Sequence, residues 1–259
     1  MYDHLVSALA WPIKTLIRKV LGEQIYQECR ATFLHTQRGL GLDWRWCNSL
    51  RTVYPVRRDF GWQAGQPIDR YYTENIFLSR YADDVHGHVL EVGDGRYTKR
   101  FGGAKVSKSD VLNVKPGNID TTIVADLTAA DHIPSNTFDC AILTFTLQFV
   151  YDVKSALYTL HRILKPGGVV LVVVPGISQI ARYDDDNWGD YWKFTSRSVR
   201  MLFEECFRSE LTTIQAHGNV LSALASLHGL ISSELTREEL DHQDKDYEVV
   251  ITVRAVKGT

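Results

Sequence analysis

Apolar residues along this chain come in short blocks with two periods. Val89-Leu90-Glu91-Val92 is a short apolar strand that ends in a glycine turn. Ala104 to Ser107 reads as a weak second strand, Thr122 to Ala125 as a third and Phe138 to Leu143 as a fourth. Between Lys154 and Leu164, the residues Ala156, Leu157, Leu160, Ile163 and Leu164 follow helical spacing. Lys165-Pro166-Gly167-Gly168 stops that helix and turns the chain. Val169 to Val174 is continuously aliphatic and β-branched, as a strand buried on both faces must be. A polar and aromatic insertion, 176–194, precedes a helix over 196–207 and two last strands, 211–216 and 247–256. Val249, Ile251, Val253 and Ala255 alternate with Val250, Thr252 and Arg254, which suits an antiparallel terminal strand. Strands alternating with helices predict an α/β domain with a doubly wound, mostly parallel sheet.

The region before Gly87 has a different texture. Trp11, Cys29, Trp44, Trp46, Cys47 and Trp62 lie there before any regular strand pattern. It reads as a helical N-terminal extension or cap over 1–86, followed by the main domain over 87–259. Leu5, Leu9, Ile13, Ile17 and Val20 recur near helical spacing, with Lys14, Arg18 and Lys19 among them. Such a helix packs on its own domain or on a second subunit, giving a homodimer through the extension. A membrane-surface helix is the alternative. Residues 68–80 are expected to form a short helix leading into the main domain. No apolar run is long enough to span a bilayer, so no integral membrane association is expected. Charges interrupt the N-terminal apolar stretch, so no signal peptide is expected.

Composition narrows the function. The chain of 259 residues has a formal net charge of -2, without the basic excess of a nucleic-acid binder. Its four cysteines, Cys29, Cys47, Cys140 and Cys206, make no C-x-x-C pair. Scattered thiols suit a reducing, cytoplasmic setting. No metal site is expected; Asp184-Asp185-Asp186 reads as a solvated loop.

Chemistry concentrates at the first turn. Gly93 and Gly95 follow the first strand, where glycine lets a backbone approach a ligand. Ligands of open α/β sheets sit beyond the carboxyl ends of the strands. An acid about twenty positions on would bind ribose hydroxyls, and Asp110 fits that spacing. Thr98 stands where a dinucleotide fingerprint has its third glycine, which argues against a nicotinamide enzyme. A structural turn is the alternative reading of a lone glycine pair.

Further landmarks follow in order: Ala125-Asp126-Leu127, then Phe138-Asp139-Cys140-Ala141-Ile142-Leu143, then Leu164-Lys165-Pro166-Gly167-Gly168. With Val89 to Gly95, they resemble the class I S-adenosylmethionine-dependent methyltransferases, especially the small-molecule group called type 11. The resemblance covers about 88–257. It implies the Rossmann-like methyltransferase fold, a seven-stranded sheet with an antiparallel last strand, and S-adenosyl-L-methionine as cofactor. It also implies roles. Glu91 and the turn Gly93, Asp94 and Gly95 would hold the methionine part, with Asp94 meeting its ammonium or capping the turn. Asp110 would take the ribose. Asp126 would face the adenine amino group and Leu127 would pack on the ring. Thr144, Phe145 and Gln148 would line the pocket, with Gln148 equally readable as a helix cap. Tyr97 departs from the family, which often has glycine there.

Two clusters are candidates for the acceptor side. Trp188, Asp190, Tyr191 and Trp192 suit a flat ring or a sugar, or else form an aromatic packing cluster. Arg70, Tyr71 and Tyr72 precede the core. Tyr72 would cover the cofactor, and Arg70 and Tyr71 would meet the acceptor, unless they are hinge packing. Candidate catalytic groups are Gln148, Asp190, Tyr191 and His217. The expected reaction is methyl transfer to a small molecule, preferably to a hydroxyl or carboxylate oxygen of a secondary metabolite or saccharide. The rivals are an NAD(P)-dependent oxidoreductase on a related sheet and a non-catalytic methyltransferase-like partner subunit.

Overall fold

The computed structural model describes residues 52–259. The amphipathic stretch from Leu5 to Val20, and Trp11, Cys29, Trp44, Trp46 and Cys47, lie outside them. Residues 55–259 form one compact unit, which takes in the part of the expected cap from 55 to 86.

Seven strands form the sheet: β1 (Gly87–Val92), β2 (Val106–Asn113), β3 (Ile123–Val124), β4 (Phe138–Thr144), β5 (Leu164–Pro175), β6 (Thr212–His217) and β7 (Val250–Val256). Their order is β3-β2-β1-β4-β5-β7-β6. β1 to β5 run parallel, and β7 is antiparallel to both β5 and β6. The terminal alternation in sequence thus becomes a strand wedged between two opposed neighbours.

Side chains of a strand alternate between faces, and both faces here are dry. Val170, Val172 and Val174 of β5 join Leu90, Ala141 and Leu143 beneath the helices Val153–Ile163 and Ser196–Glu204. Val169, Leu171 and Val173 join Val89, Cys140 and Ile142 on the other face, against Tyr72, Phe77 and Leu78. Each buried aliphatic side chain contributes roughly 1.5–3 kcal/mol by leaving water. This two-sided burial is why the runs read as continuous rather than alternating.

Local signals place the ends. The Asp152 carboxylate accepts the Ser155 amide hydrogen bond at 3.1 Å and starts the helix Val153–Ile163. Thr195 caps the next helix with a reciprocal Ser198 contact. Asp139 fixes the β1–β5 approach: it accepts from the His88 amide and from Lys165, both at 2.7 Å. Gly168 is needed there, because a Cβ would lie 2.9 Å from the Lys165 carbonyl.

Two elements differ from the sequence expectation. β2 runs to Asn113, well beyond the weak strand expected over 104–107. Its first half is exposed and polar, so the hydrophobic pattern hides it. The insertion after β5 contains a helix, Arg182–Trp188, which is too polar to show an apolar face. The expected helix over 68–80 forms at Ile68–Arg70 and continues as a π-helix over Tyr71–Leu78. Among the described residues no helix is long and apolar enough to cross a membrane.

Strand order reverses between β1 and β4, which pair in parallel with Glu91 opposite Ile142 and end at Val92 and Thr144 on the same edge of the sheet. Chain connections leave those two strands in opposite directions, which opens a crevice at that edge.

Candidate cofactor and acceptor site

A cleft of about 680 Å³ occupies this crevice. Its floor begins at the turn after β1. Gly93 has φ 101, a left-handed value that a side chain adopts only under strain. The Gly93 amide donates to the Leu112 carbonyl at 3.1 Å, so the turn is tied to β2. Its carbonyl accepts from the Asn113 and Asn118 side-chain amides at 3.0 and 2.8 Å. Gly95 allows a close approach, since a Cβ there would be 3.3 Å from Val111.

Glu91 is 2% exposed and belongs mainly to the turn itself. Its carboxylate accepts from the Tyr97 amide at 3.1 Å, the Thr98 amide at 2.7 Å and the Thr98 hydroxyl at 2.7 Å. Burial pushes its pKa up, against the Thr98 hydrogen bonds that pull it down. Thr98, which breaks the dinucleotide fingerprint, is therefore the partner that closes the first helical turn. The Asp94 carboxylate accepts from the Arg96 amide at 3.1 Å, yet its side chain stays 44% exposed on the cleft wall.

The other strands supply the remaining walls. Asp126 accepts from the Thr128 amide and hydroxyl, both at 2.8 Å, and lines the cleft beside buried Leu127. Thr144 lines it at the end of β4; Trp188 and Tyr191 stand at its rim with 39% and 51% exposure. Thus Arg70, Glu91, Gly93, Asp94, Asp126, Leu127, Thr144, Trp188 and Tyr191 line one cavity.

Five expectations need correction. Asp110 lies within β2, opposite Leu90, and not on the cleft wall. It contacts His88 at 2.6 Å, Lys108 at 3.0 Å and the Thr122 hydroxyl at 2.8 Å. Burial opposes its ionisation, but those three partners outweigh it and hold its pKa below the usual carboxylate value. The residue level with Gly93 at the end of β2 is Asn113, an amide. Tyr72 is fully buried, with its hydroxyl donating to the Leu240 carbonyl at 2.9 Å. Tyr71 donates to Asp241 at 2.7 Å on the same side. His217 is 2% exposed, stacked on Tyr72 and 3.0 Å from the Thr252 hydroxyl; burial pushes its pKa down to about 4. Trp192 packs on Tyr151 and donates to the Val150 carbonyl at 3.1 Å, away from the cavity wall. All five positions serve packing or strand structure because the tertiary fold, not local composition, decides which way they face. Gly95 supports the turn without lining the cleft.

Tyr97 does not obstruct the floor. Its buried hydroxyl accepts from Arg70 Nη1 at 2.8 Å and donates to Glu74 at 3.1 Å. Burial raises its pKa to about 12. The bulky residue therefore joins the turn to the helical segment Tyr71–Leu78.

A second chamber of about 250 Å³ adjoins the cleft and shares Arg70, Thr144, Phe145, Phe149 and Asp184 with it. Gln148 and Asp190 line this chamber. Asp190 is already bridged to Lys193, at 2.5 and 2.6 Å, so it is a neutralised wall group rather than a free base. Gln148 is 4% exposed and its backbone carbonyl accepts from the Tyr191 amide at 2.9 Å. Asn113 escaped the sequence reading, because only the register of β2 reveals it.

Residues 91–172 match the family model described as a methyltransferase domain. That range runs from the end of β1 through the Gly93 turn, Asp126-Leu127 and β4 into β5. This segment resembles a methyltransferase domain. Relatives named ubiquinone/menaquinone biosynthesis C-methyltransferase UbiE match parts of this chain. The Haemophilus ducreyi protein is 29% identical over 126 residues, covering 38% of this chain and 48% of its own length. The Enterobacter protein is 32% identical over 89 residues, covering 26% and 34%. The chain thus spans half or less of the length of these relatives. Among solved structures, the Haemonchus contortus phospholethanolamine N-methyltransferase 2 aligns with TM-score 0.50 at 15% identity. It covers 81% of this chain and 59% of its own, and it shares the methyltransferase domain's fold.

Proposed function

We propose that this chain transfers a methyl group from S-adenosylmethionine to a small-molecule acceptor. The observation that carries this reading is the convergence of the Gly93 turn, Asp126-Leu127 and Thr144 on one cleft that opens into a second chamber through shared residues. Bound there, S-adenosylmethionine would supply an electrophilic methyl carbon on a sulfonium. The protein's contribution is alignment and exclusion of water, which can account for much of the rate of an in-line displacement.

Roles follow from position. The backbone at Gly93 and Asp94 would cradle the methionine part, and the exposed Asp94 carboxylate would meet its ammonium. Asp126 would face the adenine amino group while Leu127 packs against the ring. Asn113 replaces Asp110 as the group at the ribose position. Its side-chain carbonyl accepts one hydroxyl proton, whereas a carboxylate would accept two.

The relatives' names specify carbon as acceptor atom, so the initial preference for oxygen has no support from them. The small chamber is lined by Asp69, Asp184 and Asp190 together with Arg70 and Lys193, so its charges are mixed and select no net charge on the acceptor. The free thiols Cys140 and Cys206 support a reducing compartment, and hence the cytoplasm.

The test is calorimetric titration of the whole chain with S-adenosylhomocysteine and, separately, with NADH. Saturable binding of S-adenosylhomocysteine is expected. Binding of NADH alone would replace this reading with the oxidoreductase. Nicotinamide enzymes use an acid at the end of β2, where this chain has Asn113.

A further inference from the structure

Buried polar atoms in proteins nearly always have partners, because an unpaired one costs about 1–3 kcal/mol. Among the described residues, four buried side-chain atoms lack one: Asp69 Oδ1, Arg70 Nε, Gln148 Oε1 and His228 Nδ1. The first three belong to residues that line the 250 Å³ chamber beside the cleft. Gln148 is 4% exposed, so solvent does little to satisfy it.

Their chemistry constrains an occupant. Two are acceptors and one is a donor. A carboxylate ligand would satisfy Arg70 but face the oxygens of Asp69 and Gln148. An ammonium would satisfy those oxygens but leave Arg70 Nε unmet. It would also sit beside a guanidinium that already covers the Trp62 ring at 5.1 Å and the Phe145 ring at 4.7 Å. The aromatic faces that attract cations are thus taken. Hydroxyl groups both donate and accept, and they suit Asp69 whether or not burial keeps it protonated.

Shape adds a second constraint. Phe60, Trp62 and Phe145 give the chamber flat apolar walls. Its volume is below the roughly 300 Å³ at which sites for drug-sized ligands begin, so it has room for about one ring. Phe60 and Phe145 have φ 58 and 50, a region that bulky residues rarely adopt. Such strain persists where the surroundings over-determine it, often at binding sites.

We infer that the chamber is an acceptor subsite for a single ring carrying at least two hydroxyl groups, read by Asp69, Arg70 and Gln148. This rests on the methyltransferase reading and adds the acceptor's chemical class. The hydroxylated ring can come from an aromatic diol or from a sugar-like polyol.

The test uses the whole chain saturated with S-adenosylhomocysteine. Saturation-transfer NMR and tryptophan fluorescence follow binding of resorcinol, its dimethyl ether, myo-inositol and ethanolamine. Resorcinol or myo-inositol should bind saturably, and which of them binds separates the aromatic from the alicyclic source. The dimethyl ether, which cannot donate, should bind about ten-fold more weakly than resorcinol or not at all. Gln148→Leu should weaken the bound polyol by about ten-fold while the affinity for S-adenosylhomocysteine holds. If that variant melts early, the wild-type comparison of resorcinol with its ether carries the test alone. Equal binding of the ether, binding of ethanolamine in place of the diols, or no diol binding to the loaded protein would each overturn the inference. Failure of S-adenosylhomocysteine itself to bind would instead overturn the methyltransferase reading.

Discussion

Replacing Asp110 by alanine should unfold the protein sooner and leave its cofactor affinity alone. The carboxylate sits inside β2 and accepts from three groups. The Lys108 side chain is 63% exposed, so that contact contributes little. The His88 side chain is only 16% exposed, and the Thr122 hydroxyl lies in a part-buried contact. Losing their acceptor costs each about 1–2 kcal/mol, roughly 3 kcal/mol together. For a domain of this size that corresponds to a Tm lower by about 6–12 °C. Asn113→Ala makes the opposite cut. It removes the amide that holds the Gly93 carbonyl at 3.0 Å, at the edge of the cleft, and should weaken S-adenosylhomocysteine by roughly ten-fold. Thermal melts and calorimetry on both variants supply the comparison. A folded Asp110→Ala protein with an unchanged Tm and no cofactor binding would refute the argument. The stabilisation from Asp110 should also have a definite pH range. Its native pKa is lowered, so the contribution is present above the ordinary carboxylate value and disappears as pH falls through the native one.

Two other perturbations test the packing around the site. His217 is held neutral with a pKa of about 4 against the ordinary 6.5, so the unfolded chain binds its proton first on acidification. Between those pH values the native state should lose about 3 kcal/mol from this residue, and in denaturant titrations His217→Gln should flatten that slope; an unchanged slope would show that the imidazole is not buried neutral. Glu91→Ala removes the acceptor of three hydrogen bonds at the start of the helical turn. It should cost about 2–4 kcal/mol by chemical denaturation and weaken S-adenosylhomocysteine as well, whereas a loss of affinity at full stability would mean that Glu91 acts on the ligand directly.

The sheet was readable where burial is two-sided. Val169–Val174, Phe138–Leu143 and Val89–Val92 are dry on both faces, so their apolar runs are continuous and their ends sharp. β2 was hidden because Ser107, Lys108 and Ser109 face solvent, and the strand looks like a loop until its last residues. That misplaced end put the expected ribose acid at Asp110, three residues before the strand ends at Asn113. Tyr71 and Tyr72 resembled a polar aromatic cover because composition does not say which face of a helix turns inward. The turn itself was legible, since glycine and acid recur there for reasons of backbone geometry. The small chamber was not, because its unpaired atoms come from residues far apart in the chain.

The Glu91 carboxylate has a consequence for the speed and economy of binding. It holds the Tyr97 and Thr98 amides, and Tyr97 in turn holds Arg70. The strand, the turn and Arg70, one of the residues shared by both cavities, are therefore fixed relative to one another before any ligand arrives. Little loop ordering remains to oppose association, so more of the contact energy should appear as affinity. The floor behaves as a preset mould, and mobility that gates entry must come from other parts of the rim.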